Sequence, residues 1–259
     1  MIVQSVTLSP EFKDIVLFPF SDIHVGSREF DRALFEKYRK FVLAEPNRFC
    51  FLNGDLADNA IKNSKSDIYL ATSQPREQML DIVSLLKPLA DAGRIWGSVK
   101  GNHCERTERE VGISMSEYIA DKLGVPYFGP EVVFKVRFGK NRHWRNAYYT
   151  IYATHGNGGG RMKGGKANSL DRLKNIVVAD IYCMGHTHDQ MVLTGAVHEP
   201  DKNKDQINER EIYFVNSGSF MKKGDGYAAM KNYEPQARGC PAIILDGYDR
   251  KIRPTINLV

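Results

Sequence analysis

Short apolar runs alternate with helical patterns in the first half of the chain. Apolar runs of strand length cover residues 15–20, 49–52 and 95–99. Apolar residues recur at helical spacing over 30–44, about 74–90 and 115–123. This alternation predicts βαβ units, in which strands are joined through helices that pack on the sheet.

The second half of the chain is patterned as short strands with one helix. Strands are predicted over 132–138, 147–154, 181–184, 190–197, 212–215 and 242–245, and a helix over 167–177. Such an order predicts an α/β fold with two layers of sheet and helices outside. Apart from a charged loop at 200–210, nothing resembles a linker, a repeat or a low-complexity segment. We therefore predict a single domain over 1–259.

Composition places the chain among ordinary globular proteins. Hydrophobic residues make up 42% and charged residues 26%. No apolar run approaches the roughly 20 residues that span a bilayer, and residues 1–12 lack the layout of a signal peptide. The four cysteines are scattered without paired spacing, which favours reduced thiols. We expect a cytoplasmic protein without a membrane partner.

Positive charge is concentrated in one stretch. Residues 132–170 contain no acid but eight basic residues, which exceeds the net charge of +5 for the whole chain. The eight are Lys135, Arg137, Lys140, Arg142, Arg145, Arg161, Lys163 and Lys166. This pattern favours a polyanionic partner, because phosphates that bind cations release counterions. A solvated surface face is the alternative.

Five polar clusters each follow a predicted strand, where loops meet at one edge of a sheet. They are Asp22-Ile23-His24, Asn53-Gly54-Asp55-Leu56-Ala57-Asp58, Gly101-Asn102-His103, Thr154-His155-Gly156 and Gly185-His186-Thr187-His188. Five of the seven histidines fall in these clusters, and His143 and His198 are interpreted as surface residues. Two imidazoles at spacing i, i+2 after a strand suit metal binding better than core packing, which makes the last cluster the most specific.

The ordered set Asp22-x-His24, Gly54-Asp55-x-x-Asp58, Gly101-Asn102-His103, His155-Gly156 and Gly185-His186-x-His188 resembles the calcineurin-like metallophosphoesterase superfamily. The resemblance implies a sandwich of two mixed β-sheets flanked by α-helices. It also implies two metal ions: one held by Asp22, His24, Asp55 and His188, the other by Asp55, Asn102, His155 and His186. Asp55 is then shared, and His103 is the proton donor, oriented by Asp58.

Oxygen and imidazole donors without thiolate favour manganese, iron, zinc, cobalt or nickel over copper(I) or calcium, and we expect Mn²⁺. Two cations about 3.5–4 Å apart acidify a shared water that attacks phosphorus and neutralise the charge that develops. His103 then protonates the leaving group. The sequence therefore predicts a dinuclear-metal-dependent phosphoesterase.

The sequence constrains the substrate less than it constrains the metal site. Asn59 follows Asp58 where phosphoprotein phosphatases have a phosphate-clamping arginine, and Cys104 replaces an acid of that family. We read Cys104 as an inert buried thiol. The predicted substrate-binding residues are Arg106, Arg161, Lys163 and Lys166.

A glycine-rich, basic segment, 155–166, starts at a predicted metal ligand and resembles metallophosphoesterases encoded by phages and prophages. Its backbone amides can contact phosphates, although a mobile lid is the alternative. With Trp144, Tyr148 and Tyr149 near the basic stretch, it favours nucleic acid or nucleotide diesters, and so a nuclease or phosphodiesterase. A phosphomonoesterase on metabolites or phosphoproteins and a non-catalytic binding scaffold remain as alternatives.

Overall fold

The computed structural model describes residues 1–62, 64, 68–139, 147–158, 160, 162–201, 203–222, 234–256 and 258–259. Within these residues the strands are β1 Ile2–Leu8, β2 Asp14–Phe20, β3 Arg48–Asn53, β4 Ile95–Val99, β5 Glu131–Phe138, β6 Tyr148–Thr154, β7 Ile181–Met184, β8 Gln190–Pro200, β9 Ile207–Ser217, β10 Ala242–Asp246 and β11 Ile252–Thr255. The α-helices are α1 Arg32–Ala44, α2 Pro75–Asp91, α3 Glu105–Val111, α4 Met115–Leu123 and α5 Lys163–Asp171.

The strands form two mixed sheets. One has the order β1-β5-β6-β7-β9-β8 and the other β11-β10-β2-β3-β4. The neighbours β2, β3 and β4 are parallel, as are β6, β7 and β9, while β10 runs antiparallel to β2 and β5 to β6. The expected α/β architecture with two mixed sheets and flanking helices is confirmed.

The apolar runs of β2 and β3 are explained by burial on both faces of the sheet. Ile15 and Leu17 point into the core between the two sheets, whereas Phe18 and Phe20 pack under the helices on the other side. Because successive strand side chains face opposite ways, burial of both faces requires apolar residues at consecutive positions. The helices α1, α2 and α4 supply the outer cover, and α5 covers the other sheet.

Three regions differ from the sequence prediction. The charged segment at 200–210 is partly strand, because β8 and β9 extend into a long hairpin whose distal part is exposed and so carries no apolar alternation. The helix predicted at 167–177 begins four residues earlier, at Lys163, and gives way to a short 3₁₀ helix at Arg172–Asn175. The elements β1, α3 and β11 were missed, since few of their residues are buried.

Among the described residues, no helix combines the length and the apolar character that crossing a bilayer requires.

Candidate metal centre

The five polar clusters follow β2, β3, β4, β6 and β7 and converge at one edge of the sandwich. Three contacts between clusters establish this. Nε2 of His24 lies 3.2 Å from Nε2 of His188, and Nε2 of His155 lies 3.1 Å from Oδ2 of Asp55. Nδ1 of His186 lies 2.8 Å from Oδ1 of Asn102. Asp22 joins them through His188 and His186, and His155 also lies 3.0 Å from Asn102, so all seven predicted metal-binding side chains are brought together.

The backbone at this edge is unusual. Seven described residues other than glycine have positive φ, and six of them lie here: Asp22, His24, Asp55, Asn59, His186 and His188. This left-handed conformation is unfavourable for residues with a Cβ and persists where surrounding contacts impose it, often at functional sites. Spacing alone did not predict this feature, although aspartate and asparagine adopt positive φ more readily than most residues.

Asp22, His24 and His188 form what we call the first donor group. Oδ2 of Asp22 accepts hydrogen bonds from the Ser21 hydroxyl (2.6 Å) and from the backbone N–H of His186 (2.9 Å). The other oxygen, Oδ1, lies 3.1 Å from Nε2 of His188 and 3.7 Å from Nε2 of His24. One carboxylate oxygen is thus held by the protein while its partner is aimed at two imidazoles.

Asp55, Asn102, His155 and His186 form the second donor group. Nδ1 of His155 donates to the carbonyl of Asn53 at 2.8 Å, so its Nε2 is the atom that faces Oδ2 of Asp55 and, at 3.0 Å, Oδ1 of Asn102. The amide oxygen of Asn102 therefore lies between two ring nitrogens, those of His155 and His186.

Both groups fit a divalent cation. Ligand atoms about 2.1 Å from one ion and at right angles to each other would be about 3.0 Å apart, close to the separations within each group. Among the described residues, Oδ1 of Asp22 and Nδ1 of His24 are buried without a hydrogen bond. Because an unpartnered buried carboxylate is unfavourable, the cluster needs positive charge. The ligand roles themselves stay predictions.

The pKa shifts of His24, His155 and Asp22 point to the same requirement for positive charge among these buried carboxylates. Burial alone would lower the pKa of His24, but the Asp22 and Asp58 carboxylates outweigh it and raise the pKa to about 10. For His155, burial is likewise outweighed by the charges of Asp55 and Asp22, and the pKa rises to about 9. Burial would raise the pKa of Asp22, yet the neighbouring imidazoles hold it well below its usual range.

The surroundings of His103 differ from what the resemblance implies. Its Nδ1 donates to the backbone carbonyl of Asp58 at 2.7 Å, while the Asp58 carboxylate lies 3.6 Å away. Nε2 of His103 accepts from Arg106 at 2.8 Å. Burial lowers the pKa of His103 to about 4 despite the nearby Asp55 carboxylate. In this structure His103 is thus a neutral imidazole, rather than an imidazolium held by the Asp58 carboxylate.

Asp58 also faces the first donor group. Its Oδ1 lies 3.7 Å from Nδ1 of His24, nearly as close as it lies to His103, and the three side chains form a further cluster of potential ligand atoms. Since Nδ1 of His103 already donates to a carbonyl, Nδ1 of His24 is the better-placed partner for the carboxylate.

The predicted substrate-binding residues are placed differently from one another. Arg106 lies beside His103, and Lys163 is exposed in the first turn of α5. Lys166 is buried, and its ammonium pairs with Asp189 at 3.3 Å, so its role in substrate binding stays a prediction. The early start of α5 turns Lys166 onto the inner face of the helix. Arg161 lies outside the described residues.

The described part of the basic stretch does not form one surface at the site. Arg137 on β5 pairs with Tyr148, seven residues before His155 and so about 23 Å along the strand from the site edge. Tyr149 is fully buried, with its hydroxyl bonded to the carbonyl of Asp246, and is not available for stacking. Trp144 and the basic residues at 140, 142 and 145 lie outside the described residues.

Two residues near the site are structural supports. Asn59 is fully buried and donates through Nδ2 to the carbonyl of His103 at 2.7 Å. Gln78 on α2, also fully buried, accepts from the backbone N–H of Asn59 at 2.8 Å. Sequence reasoning missed both roles, and nothing in the pattern around Gln78 indicates its own. Cys104 is buried, and burial raises the pKa of its thiol to about 12, in keeping with an inert side chain.

Comparison with protein-family models and with curated proteins gave no match. Solved structures similar to the chain include a metallophosphoesterase from Sphaerobacter thermophilus, 14% identical over 93% of this chain and 86% of its own, with a TM-score of 0.41. The calcineurin-like phosphoesterase YfkN from Bacillus subtilis is 11% identical over 93% and 87%, with a TM-score of 0.37. Vps29 from Entamoeba histolytica, complexed with Zn²⁺, is 13% identical over 93% and 97%, with a TM-score of 0.39. At such values the chemistry has to be inferred from the side chains of this chain.

Proposed function

We propose that this chain is a metal-dependent phosphoesterase of the calcineurin-like superfamily and hydrolyses phosphodiesters of nucleotides or nucleic acid. The observation that carries the proposal is the pair of adjacent donor groups, built from five strand ends in the order of that superfamily's motifs. Neither group has the thiolate of a structural zinc site, and the positive φ values show a backbone constrained by its surroundings.

The proposed ligands divide as the resemblance implies. Asp22, His24 and His188 hold one ion, Asn102, His155 and His186 the other, and Asp55 is shared. Two such ions supply a nucleophile acidified at neutral pH and neutralise the phosphate charge. The protein orients the ligands through Ser21, whose hydroxyl fixes Asp22, and through the carbonyl of Asn53, which fixes the tautomer of His155. Mn²⁺ is the proposed ion, because the donors are oxygen and imidazole.

Proton delivery is assigned to His103. As the bond from phosphorus to the attacking water oxygen forms, the bond to the leaving oxygen breaks, and that oxygen takes a proton from Nε2 of His103, which has first gained this proton from water to become the imidazolium. Arg106 donates to this nitrogen in the structure, so protonation of Nε2 requires the guanidinium to turn away. Its N–H groups then become donors for the phosphate oxygens.

Among the described residues, positive charge around the donor groups is sparse, which supports a diester. A phosphodiester carries one negative charge at its phosphorus and a monoester up to two, so a monoesterase needs more cations around the phosphate. Asn59 stands where a clamping arginine is expected, and Lys166 is occupied by Asp189. Arg106 is the described cation in contact with His103.

The test is an assay of protein stripped by a chelator and then reloaded with Mn²⁺. We expect two ions per chain by elemental analysis and faster turnover of bis-p-nitrophenyl phosphate than of p-nitrophenyl phosphate. Cleavage of single-stranded or double-stranded DNA that weakens steeply with salt identifies nucleic acid as the substrate. Faster monoester turnover would support the monoesterase instead. Metal binding without turnover of any of these esters would support the non-catalytic binding scaffold instead.

A further inference from the structure

A cavity of about 360 Å³ is lined by residues that follow Asp58 along the chain. Its walls include Ala60, Lys62, Ile68, Tyr69, Ala71 and Pro75. Ala60 follows Asp58 by two residues, so the cavity begins within about 7 Å of a residue that contacts both His24 and His103. That spacing is suitable for a group attached to a phosphate at the metal centre.

The cavity is fixed to the donor loops at both ends of the segment that lines it. At one end, the backbone N–H of Asp58 donates to the carbonyl of Val25 at 2.9 Å. At the other, the N–H of Thr72 donates to the carbonyl of Gly26 at 2.8 Å. Val25 and Gly26 directly follow His24, so the cavity and the first donor group share one support.

A buried amide completes this support. Besides accepting from Asn59, Gln78 donates through Nε2 to the carbonyl of Ser73 at 2.8 Å, so it ties both sides of the lining segment to α2. Gly26 lies against it so closely that a Cβ there would be 2.2 Å from the Gln78 amide. The position of the cavity relative to His103 is therefore fixed by packing against Gln78 as well as by the short chain connection from Asp58.

Among the described residues, the lining combines apolar side chains with the polar Ser73 and Gln74, the ring of Tyr69 and the ammonium of Lys62. The side chain of Tyr69 is 90% exposed, so most of its surface faces solvent. A smaller depression of about 210 Å³ adjoins the cavity, shares Lys62 with it, and is lined on the other side by Val111 of α3, itself 65% exposed. Apolar walls with a few polar groups are typical of pockets for small organic groups.

We propose that this cavity binds the nucleoside on one side of the scissile phosphodiester, with its base stacked on Tyr69. The inference rests on the proposed function and adds to it, because it assigns the substrate class to a named surface. Aromatic rings bind bases through their faces whatever the base, and a lysine at the cavity rim suits the charge of a phosphorylated sugar. An alcohol without a base would gain little from Tyr69.

The first experiment measures binding to the Mn²⁺-loaded protein by calorimetry, with thymidine 5′-monophosphate and methyl phosphate as probes. Tyr69→Ala is expected to weaken thymidine monophosphate binding about ten-fold and to leave methyl phosphate unchanged, whereas Tyr69→Phe retains both affinities. Because Tyr69 is exposed, these variants should fold. Val178→Ala, which removes an exposed apolar side chain on the segment before β7, is the control and should change neither affinity.

The second experiment measures KM for thymidylyl-thymidine and for the methyl esters of thymidine 3′-phosphate and 5′-phosphate. Tyr69→Ala should raise KM for the dinucleotide about ten-fold. It should also raise KM for only one of the two methyl esters, namely the ester whose nucleoside binds in the cavity. Equal thymidine monophosphate affinity in parent and Tyr69→Ala would overturn the inference while leaving the phosphoesterase proposal intact. If thymidine monophosphate affinity depends on Tyr69 but no diester is hydrolysed, the proposed function would be overturned and the nucleotide-binding site would still stand.

Discussion

The two donor groups use similar chemistry but differ in the oxygen that their imidazoles face. In the first, a carboxylate oxygen faces two imidazoles, and the side chain of His188 is 34% exposed. In the second, a neutral amide oxygen lies between two imidazoles, and the side chain of His155 is 3% exposed. Each group combines a buried aspartate and a buried histidine with one partly buried histidine, His188 in the first and His186 in the second. We therefore expect the loss of His188 to be tolerated better than the loss of His155.

Both groups also depend on the packing of the two sheets. Asp22 and His24 follow β2 of one sheet, and His188 follows β7 of the other. In the second group, Asp55 follows β3 and His155 follows β6, again from opposite sheets. Each group is thus complete only when the apolar faces between the sheets are packed.

The largest effect is expected from the ligand that the two groups are proposed to share. Asp55→Asn keeps the oxygen that accepts from the backbone N–H of His103 but removes the charge that faces His155. We expect loss of both ions by elemental analysis and a fall in diester turnover on the order of 1,000-fold. Asp81→Asn, the same change at a surface ion pair, should have no such effect. Unchanged metal content in Asp55→Asn would contradict a shared carboxylate.

A pair of histidine variants tests the difference in exposure. His155→Ala removes a buried ligand whose place water cannot easily take, and we expect Mn²⁺ affinity of the second group to fall about 100-fold. His188→Ala removes a half-exposed ligand that water can replace, and a fall of about ten-fold is expected for the first group. Calorimetric titration of each variant with Mn²⁺ measures both. Equal losses would show that the exposure of a ligand does not decide how much metal affinity its removal costs.

The sequence was sufficient to predict which donor side chains come together, because each follows a recognisable apolar strand and strand ends meet at one edge. It was not sufficient to identify what holds them. The roles of Asn59 and Gln78 depend on a contact between residues 19 positions apart, which no local pattern reveals. The same holds for the basic stretch at 132–170: among its described residues, Arg137 lies opposite Tyr148, seven residues before His155, which no local pattern indicates.

Asp58→Asn tests whether the Asp58 carboxylate supports His24 of the first donor group or His103. The backbone carbonyl that accepts from His103 is retained, so the orientation of His103 should persist. If the carboxylate supports Nδ1 of His24, Mn²⁺ affinity of the first group falls about ten-fold while that of the second is unchanged. Turnover at saturating Mn²⁺ should then stay near the parent value. A large loss of turnover at full metal occupancy would instead assign the carboxylate to His103.

The smallest effect concerns the backbone next to the proposed shared ligand Asp55. Gly54 has φ of +89°, and a Cβ there would lie 2.6 Å from Nδ1 of His155, against the bond to Asn53. Gly93, with φ of +65° and open space around it, is the matched control, because alanine there meets the same kind of backbone strain without a clash. In urea unfolding of metal-free protein, we expect Gly54→Ala to lower the free energy of unfolding by about 1 kcal/mol more than Gly93→Ala. It should also weaken Mn²⁺ binding, which Gly93→Ala should leave unchanged. If both substitutions have equal effects, close packing against His155 is not what keeps this position glycine.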